Sequence, residues 1–426
     1  MSAYLDSQGR PVVVVTGMGV LTSLGEGQAD NWAALTAGRS GIRTLRRFPT
    51  DNLRTTFAGT VDFIPHDSAP ALCEELAARA IAEAVGEAAL GGRGHFPGPL
   101  FLAMPPVELD WTQRLALAAA APPDDPASVT YRDLLRAAAS GRFTALHERV
   151  LFGSIAEHLA DRFGTQGSPV SLSTACASGA TAIQLGLEAI RRGETEAAIC
   201  AGTDASVTPE GLIRFSLLSA LSTRNDDPAG AARPFTRDRD GFVMAEGAGA
   251  LVLESLAHAR ARGARILGVV EGSGEMADSF HRTRSSPDGK PVIATLRRAL
   301  ADAGVGADEV GYINAHGTST PENDKMEWHA VAAVFGERAP LVPISSNKSM
   351  IGHTLSAAGA IEAVFTVKTL REGRLPPTIN YVNPDPALPV DCVPNVARDA
   401  AVARAISNSF GFGGQNVCLV IAAEPR

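Results

Sequence analysis

The stretch that decides the fold is Pro169-Val170-Ser171-Leu172-Ser173-Thr174-Ala175-Cys176-Ala177-Ser178-Gly179-Ala180-Thr181-Ala182-Ile183. It opens as a short β-prone run, turns at small residues, and continues as a helix of Ala, Gly, Ile, Leu and Thr. One cysteine, Cys176, stands at the turn where the helix begins. A helix N-terminus presents unpaired backbone N–H groups and a partial positive charge. Both favour a thiolate, so a cysteine there can have a lowered pKa and act as a nucleophile. The competing reading is a small buried core thiol, which most cysteines are. The stretch alone leaves the two readings level.

A second stretch repeats the plan. Residues 345–373 run from a strand through a small-residue turn into an Ala-rich helix, Ser356 to Leu370, and stop at Arg371-Glu372-Gly373. Residues 171–193 do the same and stop at Arg191-Arg192-Gly193. We read this as an internal duplication. It places Cys176 and His353 at equivalent ends of two halves, facing one pocket. His316 follows another strand candidate, residues 310–315, in Asn314-Ala315-His316-Gly317-Thr318. The chemistry therefore reads Cys, His, His. The remaining histidines sit among surface-like residues, with His281 the one other candidate for lining the site.

Size and composition bound the function. At 426 residues the chain exceeds one typical domain. A hydrophobic fraction of 45% and a mean hydropathy of +0.05 fit a large core without a membrane span. A net charge of −8 argues against nucleic-acid binding. Met1-Ser2-Ala3-Tyr4-Leu5-Asp6 has neither a basic region nor an apolar run, so no secretory leader is expected. Five scattered cysteines form neither a disulfide framework nor a zinc site, which points to a cytoplasmic setting and no metal.

Taken in order, residues 11–15 read as a buried parallel strand ending in the glycine turn Gly17-Met18-Gly19. The Gly-x-Gly lacks the third glycine and the acidic partner of a dinucleotide site. A long helix is expected from Glu74 to Leu90, followed by a turn at 91–94 and a strand from Pro99 to Met104. Residues 105–150, broken by Pro105-Pro106 and Pro122-Pro123-Asp124-Asp125-Pro126, read as an inserted cap covering the sheet. Cys200 lies in a buried strand and reads as core. The charged stretches 221–228 and 233–241 read either as solvated surface or as an ordered loop under the site.

With these pieces in place, the sequence resembles the chain-elongating, class II 3-oxoacyl-[acyl-carrier-protein] synthases. The matching segments are Thr174-Ala175-Cys176-Ala177-Ser178-Gly179, Asn314-Ala315-His316-Gly317-Thr318-Ser319-Thr320, Lys348-Ser349-Met350-Ile351-Gly352-His353 and Asn408-Ser409-Phe410-Gly411-Phe412-Gly413-Gly414. Ala220-Leu221-Ser222-Thr223-Arg224-Asn225 and Arg239-Asp240-Gly241-Phe242-Val243 match as well. The resemblance covers nearly the whole chain, with its motifs in family order.

The resemblance implies a thiolase-type α/β fold: two duplicated halves, residues 1–262 and 263–426, in a five-layered α-β-α-β-α core, as a homodimer. It implies that Cys176 carries an acyl chain as a thioester, with substrates delivered on the phosphopantetheine of an acyl carrier protein and no permanently bound cofactor. His316 and His353 would stabilise the enolate left by decarboxylation of a malonyl thioester, and Lys348 would support His353. The N–H groups of Cys176 and Phe412 would form the oxyanion hole, with Phe412 also a gate. Thr318, Thr320, Phe410 and Glu362 complete the implied substrate and support set. A thiolase would need a second cysteine in the loop 411–414, which has none. A chain-length factor would lack Cys176.

Three departures matter. Residues 104–111 replace the family's Gly-rich segment beside the acyl tunnel. Ala71-Leu72-Cys73-Glu74-Glu75 replaces the usual carrier-docking bases, and Ser219 replaces another. Residues 321–327 and the Pro-Pro-Val-Glu segment resemble a divergent bacterial branch associated with a specialised carrier and very long acyl chains of lipopolysaccharide.

Overall fold

The computed structural model describes residues 4–91, 94–106, 108–120 and 130–426. The proline-rich breaker at 122–126, Val107, Met1 to Ala3 and part of the 91–94 turn lie outside the described residues.

The fold is built on one large mixed sheet. Its first five main strands are β1 (Val13–Thr22), β2 (Leu100–Ala103), β3 (Val170–Leu172), β4 (Ala197–Asp204) and β5 (Gly247–Ser255). The next five are β6 (Gly268–Ala277), β7 (Tyr312–Asn314), β8 (Ile344–Ser345), β9 (Arg404–Phe410) and β10 (Gln415–Ala422). The strands stand in the order β8-β7-β9-β10-β6-β1-β5-β4-β2-β3. Each set of five therefore has the same internal order, third-second-fourth-fifth-first. The senses repeat too. β2 is parallel to β3 and β4, as β7 is to β8 and β9. The β4–β5 and β5–β1 pairs are antiparallel, as are β9–β10 and β10–β6. The two sets join where Val14 and Val15 of β1 meet Val269 and Gly268 of β6.

Five helices complete the layers: α1 (Ala69–Ala88), α2 (Ser178–Arg191), α3 (Lys290–Ala303), α4 (Pro321–Phe335) and α5 (Ala358–Glu372). α1 covers the outer face of β1, β5 and β4, and α3 covers that of β6 and β10. α2 and α5 lie between the two halves of the sheet and against each other. This is the five-layered α-β-α-β-α arrangement that the resemblance implied. The central pair has no polar face because it has no solvent face: α5 buries nearly every side chain from Ala358 to Leu370.

The central helices cross on glycines. A Cβ on Gly179 would sit 2.4 Å from Ala360 N, and a Cβ on Gly359 would sit 2.4 Å from Ala180 N. Gly179 and Gly359 are each the second residue of their helix, so the crossing lies on the symmetry of the duplication. Gly359→Ala is expected to destabilise the protein by about 1–3 kcal/mol through overpacking, read as a lower denaturant midpoint. An unchanged midpoint would contradict this packing.

Two expectations are corrected. β1 is antiparallel to both neighbours and runs through Gly17 and Gly19 instead of turning there. A Cβ at either glycine would meet a carbonyl oxygen of α1 at 2.0 Å, so these glycines admit the helix, not a nucleotide. The helix expected from Glu74 starts at Ala69, because Ser68 caps it by accepting from Ala71 N–H and Pro70 occupies its first turn. Within 105–150, the helices Trp111–Ala119 and Tyr131–Ala139 pack chiefly on each other. They leave Trp111, Leu115, Tyr131 and Leu135 exposed.

Candidate active site

Cys176 follows β3 through a tight elbow. Ala175 has φ +50°, a strained value for a residue with a Cβ. The elbow is clamped from within: Ser178 Oγ accepts from Thr174 N–H at 2.8 Å and donates to Ala175 O at 2.6 Å. Leu355, with φ +43°, makes the same bend before Ser356, two residues ahead of α5 as Cys176 is two ahead of α2. The counterpart of Cys176 in the second half is therefore Ser356, and His353 stands three residues earlier.

Cys176 Sγ and a ring nitrogen from each of His316 and His353 lie within 4.8 Å of one another. The imidazoles meet edge to face, with centroids 5.3 Å apart, and Phe410 packs on the other side of His316 at 5.7 Å. The three residues line a cavity of about 480 Å³ together with Thr318, Thr320 and Phe412. His281 lines it too. The two threonines hydrogen-bond each other at 2.9 Å.

A backbone N–H fixes one tautomer and a lysine side chain the other. Leu355 N–H donates to His353 Nδ1 at 3.2 Å, so the neutral ring carries its proton on Nε2. That buried Nε2 has no partner among the described residues. Lys348 Nζ lies 3.4 Å from His316 Nδ1, and an ammonium only donates, so the His316 proton also sits on Nε2. Burial, and next the Lys348 charge, hold both imidazoles well below the ordinary 6.5. The site thus offers two neutral N–H donors. Both Nδ1 atoms are engaged and an ammonium stands beside them, so the cluster suits an oxygen acquiring negative charge better than a cation.

Lys348 is buried and ion-paired with Glu362. Lys348 acts on His353 electrostatically, as the resemblance implied, and one implied role is corrected, that of Glu362 as a substrate contact. Lys348 touches His316 directly and reaches His353 only through its field. Glu362 does not line the cavity; it neutralises Lys348 from inside α5, and burial raises its carboxyl to about 7. The thiol is corrected as well. Burial pushes Cys176 up to about 11, against the pull of the Phe412 N–H and the Lys348 charge. Loss of water is the largest influence on this thiol.

Sequence reasoning missed Glu327. Its carboxylate accepts from His316 N–H at 2.8 Å, Gly317 N–H at 2.7 Å and Asn408 Nδ2 at 3.0 Å, tying the His316 turn to β9. Asp324 does similar work one turn earlier, accepting from Phe235 N–H at 2.9 Å and Ser319 N–H at 3.2 Å. The signal was available: on α4, Asp324 and Glu327 fall on the buried stripe with Val331 and Phe335. Glu327→Ala should cost about 3 kcal/mol, since it strands three buried donors; a midpoint within 0.5 kcal/mol of the parent, on the order of surface substitutions, would refute the role.

The segment 233–243 is an ordered loop, not solvated surface. Gly241 N–H donates to Ser319 O at 3.1 Å, and Val243 O accepts from His353 N–H at 2.7 Å. Cys200 is fully buried, as expected for core.

Comparison with known proteins agrees with this geometry. Residues 10–70 and 130–259 match the family model described as "Beta-ketoacyl synthase, N-terminal domain". Residues 267–382 match "Beta-ketoacyl synthase, C-terminal domain". The chain is 38% identical over 416 residues to 3-oxoacyl-[acyl-carrier-protein] synthase 2 of Synechocystis sp., covering 96% of this chain and 97% of the relative. It is 37% identical over 422 residues to the tetracenomycin polyketide synthase ketoacyl synthase alpha subunit of Streptomyces glaucescens, covering 96% of each. Among solved structures, it matches a type II PKS acyl-carrier protein in complex with its ketosynthase bound to the hexaketide. That match has TM-score 0.83 and 30% identity, covering 97% of this chain and 100% of the other.

Proposed function

The chain belongs to the beta-ketoacyl synthase family, and from that premise we infer that it is a 3-oxoacyl-[acyl-carrier-protein] synthase, an acyltransferase that elongates fatty acyl chains by two carbons. The observation that carries this reading is the pair of neutral, Nε2-protonated histidines facing a buried cysteine. A hydrolase would need a base beside its nucleophile. A decarboxylating condensation needs donors, because loss of CO₂ itself creates the carbanion.

Cys176 Sγ attacks the acyl thioester brought by the carrier protein. The acyl group passes to the sulfur, and the thiol proton leaves with the pantetheine sulfur. A malonyl thioester then enters along Thr318 and Thr320. Its carboxylate departs as CO₂, and the electron pair becomes an enolate whose oxygen takes the Nε2–H bonds of His316 and His353. The enolate carbon attacks the acyl carbonyl on Cys176. The resulting oxyanion sits on the N–H groups of Cys176 and Phe412, then collapses and expels the sulfur, which takes up one proton. Lys348 and Glu362 act as positioning residues: the ammonium holds the His316 tautomer and the carboxylate offsets its charge.

The protein works as a homodimer in the cytoplasm, receives its substrates on the phosphopantetheine of an acyl carrier protein, and divides into units near residues 262 and 263. No helix among the described residues is long and apolar enough to cross a membrane.

The test is incubation with acyl- and malonyl-carrier protein, following CO₂ release, a 3-oxoacyl product and an acyl mass increment on Cys176. Absence of both product and acyl-enzyme would sink the reading. The pH profile adds a sharper expectation. The donors must be neutral, and an ordinary imidazole is half charged at about pH 6.5. Because both folded rings lie well below that value, decarboxylation should stay level as pH falls through 6.5 and decline only further down. Protonation of Glu362 near 7 leaves more of the Lys348 charge uncompensated, which keeps the rings neutral. A midpoint at 6.5 would contradict the tautomer assignment.

A further inference from the structure

The cavity opens between two dissimilar rims. One is the end of the helix Pro209–Leu217, where Leu217 is 80% exposed and Leu218 is 38% exposed. The other is the segment 281–284, where Arg282 and Arg284 line the mouth and are both exposed. Neither guanidinium belongs to an ion pair among the described residues. Their position is fixed by the main chain, since Gly413 N–H donates to Arg282 O at 2.8 Å, one residue beyond Phe412. The acids at the same mouth are Asp240, which lies 3.7 Å from Arg224, and Glu322 at the start of α4. The start of α1, the other candidate surface for the carrier, is acidic. The start of α1 presents Glu74 beside His158 and Glu75 bridged to Arg79 and Arg162. The whole chain carries −8, so an acidic partner is repelled except at a local basic spot.

We propose that the carrier protein docks on this mouth, with Arg282 and Arg284 gripping its acidic side chains and Leu217 and Leu218 taking its apolar contact. The proposal rests on the carrier-dependent reading above. It explains how a synthase with acids at the start of α1 receives an acidic carrier: the charge has moved to the loop that abuts Phe412. Arginine suits the task because its fork holds carboxylates bidentately and it is always charged.

The experiment measures binding, not turnover. The full-length Cys176→Ala protein is titrated with the holo acyl carrier protein of a type II fatty acid system, carrying no acyl group, at low and moderate salt. Charge reversal, Arg282→Glu with Arg284→Glu, should weaken Kd about tenfold and flatten its salt dependence, as expected for charges at an interface rim. Arg282→Lys with Arg284→Lys should retain most of the affinity, and Leu217→Asp should weaken it independently. A Kd unmoved by both the reversal and Leu217→Asp overturns the proposal. A protein that binds through these residues yet never condenses sinks the proposed activity alone. One that condenses with an affinity indifferent to them sinks this inference alone.

Discussion

Replacing Cys176 with alanine is expected to lower 3-oxoacyl product formation by at least about a thousandfold, as removal of a covalent nucleophile does. The fold should survive, since the side chain is small and the elbow is held by Ser178, not by the sulfur. The informative part is what persists. The donors that receive the enolate are on His316 and His353, so Cys176→Ala should still release CO₂ from malonyl-carrier protein and form acetyl-carrier protein in place of the condensed product. Loss of decarboxylation together with condensation would mean that the sulfur does more than carry the acyl chain. Product formation at the parental rate would remove Cys176 from the mechanism.

The second large effect is expected at His353. Its Nε2–H is a buried donor with no partner among the described residues, and its Nδ1 is committed to the Leu355 N–H. His353→Ala should slow CO₂ release by about a hundred- to a thousandfold, the usual consequence of deleting one preorganised donor to a developing oxyanion. Transfer of the first acyl group to Cys176, read by intact mass, should fall much less, because that step uses the N–H groups of Cys176 and Phe412. His353→Asn should restore part of the decarboxylation rate, since its amide can donate from a nearby position. Equal losses in acyl transfer and decarboxylation would show that His353 serves both steps.

The chemical groups were legible in the sequence because each is announced locally. Cys176, His316 and His353 sit in small-residue turns at strand ends, and the repeated plan of 171–193 and 345–373 brings the two halves together. What could not be read depends on contacts through space. Glu327 lies 11 residues from His316, and its carboxylate finds the His316 N–H only when α4 folds back onto β9. The partner of Lys348 is set by the side of the ring that faces it. Gly17 and Gly19 look like a turn because the α1 backbone they admit is some 60 residues away. The thiol pKa went astray for a related reason: a helix terminus is visible in a sequence, whereas removal of water is a property of the closed pocket.

The strained bend at Leu355 has a consequence of its own. A protein made by doubling one unit inherits two seats for a nucleophile, and here the second holds Ser356. The N–H that would cradle an oxyanion there is already taken: Asp204 Oδ2 accepts from Ser356 N–H at 3.1 Å. A resident carboxylate thus stands in the place of the reaction's negative charge, at the mirror position of the working site. Asp204 is what sets the two elbows apart in hydrogen bonding. Its carboxylate fills the donor position of the spare elbow from within the fold.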